Sequence, residues 1–260
     1  MLRPWIGAQT WESLAFLHWR VEPERMRALV PAQLPLDLVD GSAWLGVTPF
    51  RVTGNRLRGL PPVPPVDRFP ELNVRTYVTV GGRPGIHFFS LDAASWAAVL
   101  GARIAYRLPY FPADMACSGA PDGVRYRSVR RAGPAAALVA RYRPTGPPFN
   151  AVAGSLEHWL TERYCLYVTG RSRLVRRADI AHPPWALRPA EAELERNTMG
   201  RPLGLALDGE PHVLFAARQD VCVWPLTLAK GSLSGQSRYS GAEAPSAKAG
   251  LDTPLLSASG

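Results

Sequence analysis

Short runs in which apolar and polar residues alternate dominate the chain up to Leu228 and predict a β-rich fold. Gly81-Gly82 separates two of these runs and predicts a hairpin, and residues 131–135 would close a second one. The predicted strands are Ala43–Phe50, Leu72–Val80, Ile86–Leu91, Arg103–Leu108, Val124–Arg130, Leu138–Arg143, Tyr164–Thr169, Arg173–Ala178, His212–Ala217 and Asp220–Leu226. A curved antiparallel sheet or barrel is the architecture that this pattern favours.

Three segments have helical spacing instead. Pro23–Val30 places proline in a first turn, Ala93–Ala102 follows an aspartate that can cap it, and Leu156–Arg163 follows a serine. Helices this few cannot alternate with the predicted strands, which argues against a parallel α/β sheet. The 26 prolines and 23 glycines fit many short strands joined by turns. The predicted fold class is therefore β-rich α+β.

The composition changes after Leu228. From Ala229 to Gly260 the chain consists mainly of Ser, Gly, Ala and Pro, which cannot bury enough apolar surface to offset the entropy of ordering. We therefore predict a disordered tail over 229–260. No comparable linker interrupts residues 1–228, which predicts a single domain.

The net charge of +9 raises the question of a nucleic-acid partner. Of the 30 basic residues only Lys230 and Lys248 are lysines, and the arginines are scattered without a basic run. We therefore expect no nucleic-acid partner. No segment approaches the ~18 apolar residues of a membrane span, and the N-terminus lacks a signal-peptide pattern. The expectation is a cytoplasmic protein without a membrane partner, and homo-oligomerisation stays open.

Cysteine and histidine spacing points away from metal and disulfide chemistry. The three cysteines are far apart, and the five histidines have no ligand spacing. Known nucleotide-binding, zinc-helix and nucleophile-elbow motifs are missing from the sequence. We therefore expect no cofactor and no metal.

The strand Leu72–Val80 has one apolar and one polar face. With the preceding glutamate, the polar face comprises Glu71, Asn73, Arg75, Tyr77 and Thr79. On an outer surface these side chains would be solvated, with Glu71 and Arg75 contributing little. Inside a barrel they would line a polar cavity, where Arg75 binds a carboxylate and Glu71 acts as acid or base. The strand alone favours the solvated interpretation, whereas the next strand, apolar on both faces, favours burial.

Several strings, in their order, resemble the YqjF-like domain-of-unknown-function family over roughly residues 10–228. They are FLHWRVEPERMRALVP, DGSAWLGVTPF, RGLPPVPPVDRFPELNVRTYV, GRPGIHFFSLDA, ARIAYRLPYFPADM, SLEHWLTERYCLY and QDVCVWPL. That family is more remotely similar to the acetoacetate decarboxylase-like superfamily. The resemblance implies a cone-like, mostly antiparallel β-barrel around a small-molecule cavity, with Glu71 near the position of an active-site glutamate.

One departure from that superfamily excludes its mechanism. The decarboxylases form a Schiff base through a lysine, and the corresponding stretch here, ARIAYRLPY, has none. Residues 1–229 contain no lysine at all. Because arginine keeps its proton at any working pH, it cannot replace the nucleophilic amine. Schiff-base decarboxylation by the domain is excluded.

The leading hypothesis is a small-molecule cavity protein acting as a lysine-independent acid–base enzyme (lyase, hydratase or isomerase type) on a small carboxylate or carbonyl metabolite. Glu71 and Tyr106 are the candidate catalytic residues. The candidate substrate-binding residues are Arg75, Asn73, Tyr77, Arg103 and Tyr110. The alternatives are a non-catalytic ligand-binding or sensor protein with the same cavity, and an interaction module whose surface arginines bind an acidic partner.

Overall fold

The computed structural model of the chain describes residues 4–95, 106–120, 123–170 and 174–229. Within these ranges the helices are α1 (Pro23–Leu29), α2 (Leu156–Thr161) and a 3₁₀ helix at Arg201–Leu203. The strands are β1 (Gly7–Val21), β2 (Ala43–Leu57), β3 (Phe69–Val80), β4 (Arg83–Ala93), β5 (Tyr110–Ala120), β6 (Gly123–Arg130), β7 (Ala137–Pro144), β8 (Cys165–Thr169), β9 (Val175–Ala181), β10 (Leu187–Asn197), β11 (His212–Val223) and β12 (Thr227–Leu228).

The strands form one continuous sheet in the order β12-β9-β8-β4-β3-β2-β1-β11-β10-β7-β6-β5. Two further pairings, of β9 with β11 and of β4 with β5, close this sheet on itself. One closed ring runs through β9, β8, β4, β3, β2, β1 and β11, and a second runs through β5, β6, β7 and β10 back to the same shared strands. Among the described strands only β4–β5 and β4–β8 pair in parallel. The predicted, mostly antiparallel barrel is confirmed.

Each ring encloses one face of the shared strands β11-β1-β2-β3-β4, so side chains on both faces are buried, except at exposed places such as residues 217, 218 and 220 of β11. On the face towards β6 and β7, Leu72, Val74 and Val78 pack in one apolar cluster with Tyr126. On the face towards β8 and β9, Tyr77 belongs to a second cluster with Phe16, Leu166 and Trp185. The apolar face predicted for β3 therefore lies in the core, and its polar face lies in the other enclosed space.

Both helices within the described residues follow their sequence signals. α1 begins with Pro23 and buries Met26 in the first cluster. The side chain of Ser155 caps α2 by accepting a hydrogen bond from the backbone N–H of His158 at 3.2 Å. The predicted helix Ala93–Ala102 is different, because Ala93 ends β4 and residues 96–102 lie outside the described residues.

Two strand predictions are wrong. Residues 103–105 lie outside the described residues, and 106–108 are not a strand, because Arg107 has a φ of +54° that extended backbone does not adopt. The strands predicted at 212–217 and 220–226 are one strand, β11, up to Val223. Because β11 pairs with the long strand β1 on both sides of its exposed middle residues, it continues as one strand where the sequence predicted a break.

The end of the domain is held by pairing with β9. The strand β12 pairs with Arg176 and Arg177, and the backbone N–H of Ala229 donates to the carbonyl of Val175 at 2.9 Å. The tail prediction, 229–260, is therefore wrong at Ala229, which is buried and hydrogen-bonded in the domain, and residues 230–260 lie outside the described residues. Within the described part of the chain, the helices are too short and too polar to cross a membrane.

Candidate functional site

The polar face of β3 is enclosed in the interior of the first ring. Glu71, Asn73, Arg75 and Tyr77 are 7%, 5%, 8% and 0% exposed. The solvated interpretation of this face is therefore wrong, because β8, β9 and Trp185 cover it when the ring closes. Buried charge and buried hydrogen-bonding groups are costly unless they have partners, so the partners of these side chains decide what the site can do.

Glu71 lies beside Tyr110. The Tyr110 hydroxyl donates to Glu71 Oε2 at 3.1 Å, and the parallel pairing of β5 with Leu91 of β4 places it there. Burial raises the pKa of Glu71 to about 8, and the hydrogen bond from Tyr110 opposes this rise. Glu71 is thus mostly a neutral carboxylic acid at pH 7, able to give up its proton slightly above that pH.

The sequence motif that contributes Tyr110 also contributes a second phenol. Tyr106 is partly buried in the same apolar cluster, and burial raises its pKa. The pKa of Tyr110 is raised well above its ordinary value by burial and then by the charge of Glu71, with a smaller contribution from Tyr106. Both tyrosines therefore stay protonated, and Tyr110 donates its hydrogen bond to Glu71. Arg103, the remaining candidate of this motif, lies outside the described residues.

Arg75 lies in a row across three strands with Gly46 and His18. The register pairs His18 of β1 with Gly46 of β2, and Gly46 with Arg75 of β3. The guanidinium carbon of Arg75 is 5.3 Å from the ring centre of Phe16, so the side chain leans across β2 towards β1. Its Nε atom is buried without a hydrogen-bond partner, and no described carboxylate forms an ion pair with it.

His18 was not among the predicted site residues. Its Nε2 atom is 2.6 Å from the hydroxyl oxygen of Tyr77, and its Nδ1 atom is buried without a hydrogen-bond partner among the described residues. The pKa of His18 is held well below its usual range by burial first and then by the positive charge of Arg75 and by His212. The imidazole is therefore neutral at pH 7.

The end of the interior next to Tyr77 is closed by α2. The ring of Trp159 lies 4.7 Å from that of Tyr77, and the guanidinium of Arg163 lies 5.0 Å above Tyr77. Asp37 holds Trp159 of α2 and Arg163, which follows α2, because it accepts from Arg163 at 2.5 Å and from Trp159 Nε1 at 3.3 Å. The same aspartate accepts from Thr79, the last polar residue of the β3 face, at 3.0 Å.

Four polar side chains on one face of β1, β2 and β3 carry buried atoms without any partner among the described residues. These atoms are His18 Nδ1, Thr48 Oγ1, Asn73 Oδ1 and Arg75 Nε. Thr48 and Asn73 are directly paired across β2 and β3, so the four form one patch. Because buried polar groups nearly always have partners, this patch is a place where a polar molecule or ordered water could bind.

A groove of about 520 Å³ lies elsewhere, on the outer face of β5, β6, β7 and β10. Arg125, Arg127, Arg141 and Glu193 line it, and all four side chains are exposed. These are the charged faces predicted for an ordinary half-exposed sheet. Within the described residues, no group of three His, Cys, Asp or Glu side chains could hold a metal ion.

Comparisons with known proteins place the sequence in one family. The model of the DUF2071 family, described as an uncharacterised conserved protein, matches residues 8–220. The uncharacterised protein YqjF of Bacillus subtilis (strain 168) is 49% identical over 223 residues, which are 85% of this chain and 92% of YqjF. The resemblance deduced from the sequence motifs is confirmed.

Solved structures of the acetoacetate decarboxylase-like group have the same fold. An acetoacetate decarboxylase from Legionella pneumophila matches with a TM-score of 0.59 and 13% identity, covering 89% of this chain and 90% of that one. The enduracididine biosynthesis enzyme MppR complexed with pyruvate matches with a TM-score of 0.59 and 13% identity, covering 88% and 91%. At this identity the likeness establishes the fold.

Proposed function

The chain belongs to the DUF2071 family and has an acetoacetate decarboxylase-like fold, and we propose that it is a lysine-independent acid–base enzyme acting on a small carboxylate or carbonyl metabolite. The observation that carries this proposal is the enclosed polar face of β3. That face holds a guanidinium with which no described carboxylate forms an ion pair, and a carboxylic acid whose pKa burial raises to about 8.

Arg75 anchors the anionic group of the metabolite. A buried charge without a partner is strongly destabilising, and a carboxylate that binds two guanidinium N–H groups would offset that cost. Thr48 and Asn73, with their unpartnered oxygens, offer further contacts on the same face. MppR, a protein of the same fold, has been solved with the small keto acid pyruvate bound, which supports the ligand class.

Glu71 moves the proton. A group whose pKa lies near the working pH is present in both protonation states, which general acid–base catalysis requires. Tyr110 fixes the orientation of the carboxyl group. Since residues 1–229 contain no lysine, the reaction proceeds without a Schiff base, by lyase, hydratase or isomerase chemistry.

A thermal-shift screen of the full chain against small carboxylates, keto acids and aldehydes tests the anchor. Ligand at ~100 times its dissociation constant adds about 2.7 kcal/mol of stability, which such a screen detects. We expect at least one carboxylate to stabilise the wild type and the Arg127→Met control, whose arginine is exposed on the outer sheet, but not Arg75→Met. A stabilisation that survives in Arg75→Met, or the failure of every compound on the wild type, would refute the proposal.

The bound compounds are then followed for turnover by proton NMR. Glu71→Gln keeps the shape and neutrality of the protonated acid, so it should still bind and should lose turnover. Binding without turnover by the wild type would replace the enzyme by the alternative, a non-catalytic ligand-binding or sensor protein with the same site.

A further inference from the structure

We propose that His18 is a second ligand-binding residue, which donates a hydrogen bond from Nδ1–H to the anion that Arg75 holds, while Tyr77 positions it. This inference rests on the proposed anion site and adds to it a location: the anion lies between the side chains of His18 and Arg75, and apart from Glu71.

The side chains of His18 and Arg75 approach each other closely at Gly46. A Cβ atom on Gly46 would lie 3.2 Å from Cδ2 and Nε2 of His18 and 3.3 Å from Cγ of Arg75. His18 and Arg75 therefore converge above a position that has no side chain. The ring of Phe16, stacked at 10° to the imidazole and 5.3 Å from the guanidinium carbon, forms the apolar wall next to both.

The contact between His18 and Tyr77 decides which imidazole nitrogen carries the proton. Tyr77 and His18 share one short contact of 2.6 Å, in which either partner could donate. A phenol is a strong donor and a weak acceptor, whereas the unprotonated nitrogen of imidazole is a strong acceptor. The favoured arrangement has the Tyr77 hydroxyl donating to Nε2, which leaves the proton on Nδ1.

The unpartnered atoms of His18 and Arg75 indicate the chemical class of the ligand. The unpartnered atoms of these two neighbouring side chains, His18 Nδ1–H and Arg75 Nε–H, are then both donors, and one belongs to a cation. A site made of donors selects a molecule that presents acceptors and negative charge, such as a carboxylate with two oxygens. A neutral imidazole suits this place, because it adds a donor without adding a second positive charge beside Arg75.

The proposed anion site lies at a distance from Glu71. The two positions are four residues apart on β3, ~13 Å along the strand. Their side chains also lean apart, because Arg75 reaches towards Phe16 on β1 and Glu71 contacts Tyr110 on β5. A molecule that reaches both is therefore an extended acid, with its carboxylate at His18 and Arg75 and its reacting carbon towards Glu71.

Nitrogen NMR of the full chain labelled with ¹⁵N-histidine tests the proton position directly. The His18 signals, assigned by their loss in His18→Gln, should show Nδ1 protonated and Nε2 unprotonated, and Tyr77→Phe should mix the two forms. Saturation with acetate, pyruvate or 4-oxopentanoate, whichever binds through Arg75, should move the Nδ1–H proton to lower field. A proton on Nε2 in the free wild type, or an unchanged Nδ1–H signal at saturation, would overturn the inference.

Affinities of the same three acids provide the second test. Glutamine at position 18 places its amide nitrogen where Nε2 lies, and asparagine places it where Nδ1 lies. We expect His18→Gln to weaken binding about 10-fold or more, and His18→Asn to recover much of that loss. One control should bind as the wild type does: His87→Gln, on the opposite face of the sheet.

The outcomes separate this inference from the proposed function. If none of the acids binds, or if Arg75→Met binds them equally well, the anion site itself fails and His18 fails with it. If binding depends on Arg75 and changes less than 2-fold in His18→Gln, the inference alone is refuted. Should His18→Gln not fold, the proton position in the wild type still decides.

Discussion

Asp92 of β4 and Arg130 of β6 form an ion pair whose side chains are 0% and 2% exposed, with Asp92 Oδ1 2.8 Å from Arg130 Nη2. The guanidinium also lies 4.1 Å from the ring centre of Phe111, the residue that follows Tyr110. The pair therefore ties β6 to the junction where β4 and β5 meet. That junction brings Tyr110 to Glu71, so the ion pair supports the candidate site from outside it.

Removal of one partner of this ion pair should lower the free energy of unfolding far more than removal of both. Asp92→Asn leaves the Arg130 charge buried without a carboxylate, and we expect a loss of about 3–5 kcal/mol in the free energy of unfolding. The double variant Asp92→Leu/Arg130→Met removes both charges and should lose much less. Urea unfolding measures the stability of the wild type, the single variant and the double variant. Glu191→Gln, at the exposed ion pair with Arg143, is the control and should change stability by less than about 1 kcal/mol. Equal losses in the single and double variants would contradict this account.

Stability should fall with rising pH because of Glu71. The unfolded carboxyl ionises near 4.5, whereas the folded one keeps its proton to about 8. Between these values the folded state binds more protons, so each pH unit lowers the free energy of unfolding by about 1.4 kcal/mol. Glu71→Gln removes this cost and should be more stable than the wild type by about 3 kcal/mol at pH 7, and similar to it below pH 4.5.

Thermal and urea unfolding of the wild type and Glu71→Gln at pH 4.5, 7 and 8.5 measure this difference. Glu193→Gln, an exposed carboxyl on β10, is the matched control and should follow the wild type at each pH. A difference between wild type and Glu71→Gln that does not grow from pH 4.5 to 7 would contradict a raised pKa at Glu71.

The closure of the first ring should depend on Gly85. A Cβ atom at this position of β4 would lie 2.6 Å from Cε2 of Tyr167 and 2.8 Å from the backbone oxygen of Cys165 on β8. Because backbone cannot move aside as a side-chain end can, Gly85→Ala should cost about 3 kcal/mol or more in urea unfolding. Gly119→Ala on β5, where no atom of the described residues lies within 4 Å of the added carbon, should be nearly neutral. Similar behaviour of the two variants would show that β8 does not pack closely on β4.

The sequence could predict the two faces of β3 but not which of them meets solvent. Alternation of Glu71, Asn73, Arg75 and Tyr77 with apolar residues is the same for a solvated sheet and for one that lines an enclosed space. The difference is made by β8 and β9, about 90 residues further along the chain, which cover the polar face. A local pattern holds no information about such long-range closure.

Other parts of the site depended on elements that were not predicted. The strand β1 was missed because Ser13, with a φ of +53°, and a register shift between Glu12 and Leu17 interrupt its alternation. The segment LAFLHWRV did carry a signal, since it is apolar on both faces apart from His18 and Arg20, as in a strand buried on both sides. The strand β10 was missed because LRPAEAELERN is rich in residues that are rare in strands.

A side chain at Gly46 should lower both the stability of the fold and the affinity for the ligand. Alanine there is compatible with the backbone, but its Cβ would press on His18 and on the stem of Arg75 at 3.2–3.3 Å. The neighbours must shift by a few tenths of an ångström, so we expect a loss of about 1–3 kcal/mol in the free energy of unfolding. Because the two donors are displaced together, the affinity for the acid bound by Arg75 should fall about 10-fold, while turnover of the bound fraction should change little. Gly119→Ala serves again as the control for both measurements. If Gly46→Ala binds the acid as tightly as the wild type, the anion lies away from the row that His18, Gly46 and Arg75 form.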